Sequence, residues 1–235
     1  MWKRKKVSVV FPCYNEEKNI KKAIEEFFSS GFVDEIIAVD NNSKDNSAKE
    51  IKKTKAKYVN ERRQGYGNAL IRGLAEATGD FIIMAEPDNS FLGKDVQKLL
   101  VYADDFEVVF GTRTSKSLIW SRAKMEGFLR YGNTAVAKLL EYLHNGPCLT
   151  DVGCTMKLIK RESYEKIAHK LNIGDSRFSP HFMIVCIRSR LKCVEIPVNY
   201  RERIGESKIT SNFWKSFKLG MRMILMIIKS RLERV

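Results

Sequence analysis

Glu86 and Asp88 stand two residues apart with Pro87 between them, directly after the apolar run Phe81-Ile82-Ile83-Met84-Ala85. Two carboxylates at this spacing, on a turn stiffened by proline, supply hard oxygen donors suited to a divalent cation that also holds phosphates. An apolar run of this length reads as a strand buried on both faces, as in parallel sheets. Ligands of open α/β sheets bind beyond the carboxyl ends of the strands, and the pair lies at that edge. An acidic strand-to-loop turn without chemistry has the same local sequence, so the weight falls on the rest of the chain.

Two further strand ends carry polar turns. Phe11-Pro12 leads into Cys13-Tyr14-Asn15-Glu16-Glu17, and Val39 leads into Asp40-Asn41-Asn42-Ser43. Acceptors such as Asp40 and Asn15 can hydrogen-bond a base or ribose, and a helix opening at Gly65-Tyr66-Gly67 offers backbone N–H groups to an anion. Together these pieces make a nucleotide-diphosphate pocket. Each has a plainer reading by itself: Asn15 and Ser43 as helix caps, the glycine pair as a tight turn.

These residues need elements to position them. The pattern predicts strands over 6–12, 34–40, 56–60, 81–85 and 108–112, with helices over 16–28, after Ser43 or Asp45, from Gly67 to about 78, and over 95–102. Their alternation up to residue 113 implies right-handed crossovers and an α/β fold with a mostly parallel sheet. Beyond Arg113 the character shifts, with a long basic helical stretch over 119–143, strands over 151–160 and 192–201, and a helix over 179–189. These read as additions that complete the sheet and build an acceptor site over its edge. The last segment, 212–232, sets Phe213, Trp214, Phe217, Met221, Leu225 and Ile228 among Lys215, Lys218, Arg222, Lys229 and Arg231. That mixture suits a helix lying in a membrane interface, or an amphipathic helix packed on the domain.

Composition narrows the partners. Among 235 residues, 42 Lys and Arg face 28 Asp and Glu, a net charge of +14 that favours nucleic acid, an anionic membrane surface or a phosphorylated substrate. No nucleic-acid-binding motif accompanies the charge, so a non-catalytic nucleic-acid module is only a remote alternative. The five cysteines include no C-x-x-C pair and the three histidines form no spaced metal motif, which argues against a disulfide framework or a structural zinc site. No stretch approaches the roughly 18 to 20 apolar residues of a membrane span. The basic start, 1–6, runs straight into a strand-like segment without a signal-peptide apolar region, which gives a cytoplasmic expectation.

The ordered blocks P-C-Y-N-E-E, V-D-N-N-S-K-D-N-S, G-Y-G-N-A-L-I-R-G and A-T-G-D-F-I-I-M-A-E-P-D resemble the nucleotide-binding half of family-2 glycosyltransferases with the GT-A fold. V-V-F-G-T-R, T-D-V-G-C-T-M-K-L-I-K-R-E and V-E-I-P-V-N-Y-R-E-R-I-G-E-S-K are similar to the polyprenyl-phosphate sugar synthase branch. The resemblance covers about 7–210. It implies a catalytic domain over 1–210, with a nucleotide-sugar half over about 1–113 and an acceptor half over about 114–210, followed by the amphipathic helix of 211–235 as a membrane-surface anchor.

By that resemblance Pro12, Asn15, Glu16, Asp40, Asn41 and Gly67 surround the nucleotide of a UDP- or GDP-sugar. Glu86 and Asp88 fall on the family's D-x-D and hold Mg2+ or Mn2+ with the diphosphate. Here a glutamate replaces the first aspartate, and Ser90 stands where the branch has a metal-binding glutamine. Arg113, Arg130, Thr134, Arg203 and Lys208 would bind the phosphates on the acceptor side, and Asp151 would border the sugar or acceptor. The implied catalytic group is Asp88, Asp151 and Arg113. A lipid phosphomonoester, with a second pKa near 6, is already an anionic nucleophile at neutral pH. A single inverting displacement then needs no general base, only positioning and electrostatics. A soluble sugar or glycan hydroxyl as acceptor would need one, with Asp151 or His181 as candidates. The implied site of action is the cytoplasmic face of a membrane, reached alone or with a membrane-protein partner.

Overall fold

The computed structural model describes residues 1–121, 123, 128–204 and 213–232. In chain order the elements are β1 (Val7–Cys13), α1 (Ile20–Ser29), β2 (Glu35–Asp40), α2 (Ser47–Lys52), β3 (Lys57–Asn60), α3 (Tyr66–Glu76), β4 (Phe81–Met84), α4 (Asp95–Tyr102) and β5 (Val108–Thr112). They continue with α5 (Phe128–His144), β6 (Lys157–Lys160), α6 (Arg161–Ile167), α7 (Phe178–Arg188), β7 (Cys193–Pro197) and α8 (Phe213–Leu232). The strands form one sheet in the order β3-β2-β1-β4-β6-β5-β7. β1 pairs in parallel with β2 and β4, β2 with β3, and β5 with β7, while β6 runs antiparallel between β4 and β5.

Successive strand residues point to opposite faces, and both faces are apolar, as a sheet covered by helices requires. Val10, Ile37, Val39, Ile82 and Met84 pack with α3, α5, α7 and α8 through Leu70, Leu140, Phe182 and Ile227. Val9, Phe11, Ile36, Ala38 and Ile83 pack with α1, α2 and α4 through Phe27, Ile51 and Leu99. The parallel strands β1, β2, β3 and β4 therefore end at one edge, where the loops carrying Asn15, Asp40 and Glu86 follow.

The predicted elements are found with several differences of physical interest. α1 begins at Ile20, not Glu16, because Asn15 adopts a left-handed φ of 56° and its side chain is spent on a loop contact. The strand predicted over 151–160 is ordered as β only from Lys157, since 151–155 turns its backbone and side chains to other partners. The strand predicted over 192–201 stops at Pro197, and the chain then turns over the Asp88 loop: Arg201 N–H donates to Ser90 O at 2.9 Å and Ile204 N–H to Asp88 O at 3.0 Å. α6 was not foreseen. The final helix is packed on the domain, with Met223 and Ile227 buried against α5 and α7 and its other face exposed.

Candidate active site

β4 ends in Ala85, and the turn beyond it presents the acidic pair. Ser90 orients Asp88, its N–H and Oγ donating to Oδ1 at 3.0 and 2.5 Å. Asp88 Oδ2 is buried and accepts no hydrogen bond. Arg203 Nε stands 2.9 Å away as an ion-pair partner, and Arg203 Nη2 lies 3.8 Å from Glu16 Oε1. Glu86 Oε1 accepts from Thr155 Oγ1 at 2.6 Å, and Thr155 is 2.5 Å from the Tyr66 hydroxyl. Burial, reinforced by the Asp88 charge, pushes the Glu86 carboxyl up to about 7.

A buried carboxylate oxygen without a hydrogen bond, next to a second carboxylate, fits a divalent cation. Among the described residues no group of three His, Cys, Asp or Glu side chains is gathered that could hold a metal ion. Glu86 and Asp88 are thus the residues that could hold a divalent cation here.

The nucleotide-side loops are stitched to one another. Asn15 N–H donates to Ser43 Oγ at 3.0 Å, and Asn15 Oδ1 accepts from Lys44 N–H at 2.8 Å, so Asn15 joins the loops after β1 and β2 and caps no helix. Pro12 is buried in β1 opposite Val39, beyond the stretch of β1 that pairs with β4. Glu16 N–H donates to Ser47 Oγ at 2.7 Å, and Glu16 Oε2 accepts from Asn19 at 2.7 Å. Asp40, also buried, takes Ser43 N–H on Oδ1 at 3.2 Å. Asn41 staples the loop before α3: its Nδ2 donates to Glu61 O at 2.8 Å and Arg63 O at 2.9 Å, and its Oδ1 accepts from Gly65 N–H at 2.8 Å. The start of α3 is less open than its glycines suggested. Asn68 N–H donates to Gly174 O at 3.0 Å, and a Cβ on Gly67 would fall 2.1 Å from Ile173 O. Gly67 is thus a point of close backbone approach.

Across the site stands a second charged pair. Arg113, just past β5, donates from Nε to Asp151 Oδ2 at 2.8 Å and from Nη2 to Oδ1 at 2.9 Å. Arg113 N–H, Asn133 Nδ2 and Gly153 N–H bring the fully buried Asp151 carboxylate to five hydrogen bonds. Burial alone would raise this carboxyl, but the Arg113 charge and hydrogen bonds outweigh it and hold Asp151 below the usual range. A guanidinium has five N–H donors, so the side-on clasp leaves the Nη1 edge outside it. Arg113 also lies over the Tyr200 ring at 5.2 Å. A Cβ on Gly153 would approach Arg113 Nη2 to 2.9 Å, which explains the glycine of D-V-G-C.

The stretch 151–155 joins the two halves, since Asp151 holds Arg113 while Thr155 donates to Glu86. Beneath it the buried Lys157 donates to Cys154 O and to Ser179 Oγ, tying the stretch to α7; burial lowers the Lys157 pKa. Thr134 of α5 donates to Thr150 O at 3.2 Å. Arg130, one turn earlier, has its guanidinium over the Tyr131 ring at 5.1 Å. Arg203, expected with the acceptor arginines, pairs with Asp88 of the acidic pair. Lys208 lies outside the described residues. His181 is a packed helix residue whose Nε2 bonds the Lys170 carbonyl at 3.1 Å, with its pKa lowered by burial. Sequence reasoning missed Tyr66, Thr155, Tyr200 and Glu195. Tyr66 and Thr155 sat inside quoted blocks, but only the fold shows that both bear on Glu86.

This mostly parallel sheet flanked by helices is the fold of the GT-A glycosyltransferases, and solved structures share that fold. Glucosyl-3-phosphoglycerate synthase from Mycobacterium tuberculosis in complex with phosphoglyceric acid matches with a TM-score of 0.74 at 18% identity, over 99% of this chain and 82% of that one. Its complex with Mn2+, uridine diphosphate and glucosyl-3-phosphoglycerate matches at 0.71 and 19% identity, over 97% and 80%. The family model described as Glycosyl transferase family 2 matches residues 8–168, and the chain belongs to that family. Dolichyl-phosphate beta-glucosyltransferases of Homo sapiens and Mus musculus are each 26% identical to it, over 96% of this chain and 76% of theirs.

Proposed function

We propose that this glycosyltransferase moves a hexose from a UDP- or GDP-sugar to a polyprenyl phosphate at a membrane surface, with inversion at the anomeric carbon. The observation that carries this reading is the state of Asp151. Its carboxylate is buried, saturated with hydrogen bonds and held ionised by Arg113, which suits a residue that aims an arginine and not one that collects a proton. His181 is tied to a backbone carbonyl. A phosphate acceptor fits a site with neither candidate base placed for proton transfer, since its oxygen is already anionic at neutral pH.

In this reading Arg113 presents its Nη1 edge to the acceptor phosphate, with Arg130 as a second cationic contact. An acceptor oxygen forms a bond to the anomeric carbon as the bond to the nucleoside diphosphate breaks, and the diphosphate leaves with the electron pair. A divalent ion bound with the donor supplies neutralisation of that leaving group. Asp88 and Glu86 would hold it, Asp40 would face the nucleoside from a loop braced by Asn15, and Arg203, paired with Asp88 in this structure, would turn to the diphosphate. The relatives that act on dolichyl phosphate support the lipid acceptor, and the exposed apolar face of α8 supports the membrane surface. Among the described residues no helix is long and apolar enough to cross a membrane.

The test is a radiolabelled transfer assay with Mg2+ or Mn2+, a panel of UDP- and GDP-sugars and a short polyprenyl phosphate. Label should pass to the organic phase, with a loss of at least about a hundredfold for Asp88→Ala. Donor hydrolysis or transfer to soluble hydroxyls, with no label in lipid, would replace the lipid acceptor by a soluble one.

A further inference from the structure

The N–H groups of residues 149, 150 and 151 lie in no helix or strand, yet each is held by a carboxylate. Leu149 N–H donates to Glu141 Oε2 at 2.8 Å. Glu195 takes the next two: Oε1 accepts Thr150 N–H at 2.7 Å and Thr150 Oγ1 at 2.6 Å, and Oε2 accepts Asp151 N–H at 3.1 Å. The Thr150 hydroxyl also meets Thr112 at 2.8 Å and Thr114 at 2.7 Å, on either side of Arg113 in sequence. Glu195 belongs to β7 and stands in register with Phe110 of β5, the strand that delivers Arg113.

We propose that Glu195 is a positioning residue for the acceptor phosphate, setting Asp151, and through it Arg113, by gripping the Thr150–Asp151 peptide from the neighbouring strand. The proposal rests on the reading of Arg113 as the acceptor-phosphate ligand. A carboxylate does this where an amide would not, because both of its oxygens accept. With Asp151 buried, a shift of this peptide moves the carboxylate that clasps Arg113 on two nitrogens, and the fork geometry that grips a phosphate is lost before the fold is.

The experiment uses Glu195→Gln, which keeps the side-chain volume and one acceptor for Thr150 but sets an NH2 group against Asp151 N–H. Acceptor KM should rise about tenfold, the loss expected for a hydrogen bond to a charged group. UDP–Mn2+ affinity, measured by calorimetry without acceptor, should stay within about twofold because the donor half is untouched. Thr150→Val, which keeps the backbone and removes only the hydroxyl, should move acceptor KM in the same direction by less, and it serves if Glu195→Gln does not fold. The deciding measurement is a double-mutant cycle: on an Arg113→Ala background, Glu195→Gln should add almost nothing to acceptor KM. Full additivity would overturn the proposal and leave Glu195 a general structural residue, as would an unchanged acceptor KM in folded Glu195→Gln. If Arg113→Ala itself leaves acceptor KM unchanged, the assignment of Arg113 fails, and this proposal with it.

Discussion

Glu86 carries the chain's most consequential departure at the level of single residues. A glutamate reaches further than an aspartate, and here Oε1 is fixed by Thr155 while the Asp88 charge bears on the same carboxyl. The cost is a buried carboxyl whose pKa is raised to about 7. The sign follows from linkage. A carboxyl with a raised folded pKa is neutral and harmless below its unfolded pKa, and the stability it allows is lost as pH climbs through its folded pKa. Glu86→Gln removes that loss. Without metal or nucleotide, the variant should melt level with the parent near pH 4.5 and above it at pH 8, by roughly 2–4 °C for each kcal/mol of relieved burial. Parallel melting curves across this range would show that Glu86 ionises without penalty. Mn2+ affinity should fall in the same variant, because stability and ion binding make opposite demands on this side chain.

Gly67 makes the corresponding case for whole elements. The carbonyl of Ile173 fills the space its Cβ would need, and Asn68 N–H is bonded to Gly174 O, so α3 begins pressed on the loop that leads to α7. Gly67→Ala must push backbone, which costs about 1–3 kcal/mol in a packed interior. The expected result is a lower melting temperature with faster amide exchange at Asn68; an unshifted melting curve would mean that the loop yields freely. The same helix shows what the sequence made legible. Apolar runs and turn residues located the first five strands within about a residue, and alternation gave the parallel half, because local periodicity and strand-end chemistry are short-range properties. Glu86, Asp88 and Asp40 drew attention because they stand at or just beyond strand ends, and Arg113 through the resemblance of its block. The antiparallel insertion of β6 was not, since it depends on pairing with β4 and β5 from distant sequence. The contacts of 151–155 were hidden for the same reason: the stretch has strand-like composition, yet Asp151 and Thr155 are claimed by Arg113 and Glu86 from elsewhere in the chain.

At the scale of the whole molecule, α8 has two faces with different work. Met223 and Ile227 face inward against α5 and α7, and His144 at the end of α5 bonds the Ile227 carbonyl at 3.2 Å. Trp214, Phe217, Met221, Leu225, Ile228 and Leu232 follow one another at steps of three or four residues, so they form one stripe along the helix, and all six are exposed, Leu225 at 62% and Leu232 at 80%. Lys218, Arg222 and Lys229 border that stripe. A helix that is docked on one side and apolar with a basic border on the other has the form that the proposed anionic membrane surface would require, the stripe inserting while the charges meet headgroups. Removing 213–235 would uncover Ile227 and its core neighbours, so point changes are the cleaner probe. Ile227→Ala should cost about 2–5 kcal/mol of stability and leave vesicle binding to the folded protein unchanged. Leu225→Glu with Leu232→Glu should leave the melting temperature nearly where it was, as exposed substitutions do to within about 0.5 kcal/mol. Sedimentation with phosphatidylserine-containing vesicles should fall at least about tenfold in the double variant, since each buried leucine side chain contributes about 1.5–3 kcal/mol. In the parent, raised salt should weaken binding without abolishing it, because screening acts on the basic border and not on the stripe. Equal sedimentation of parent and double variant would take the membrane away from α8 and leave the lipid acceptor to be reached by another surface.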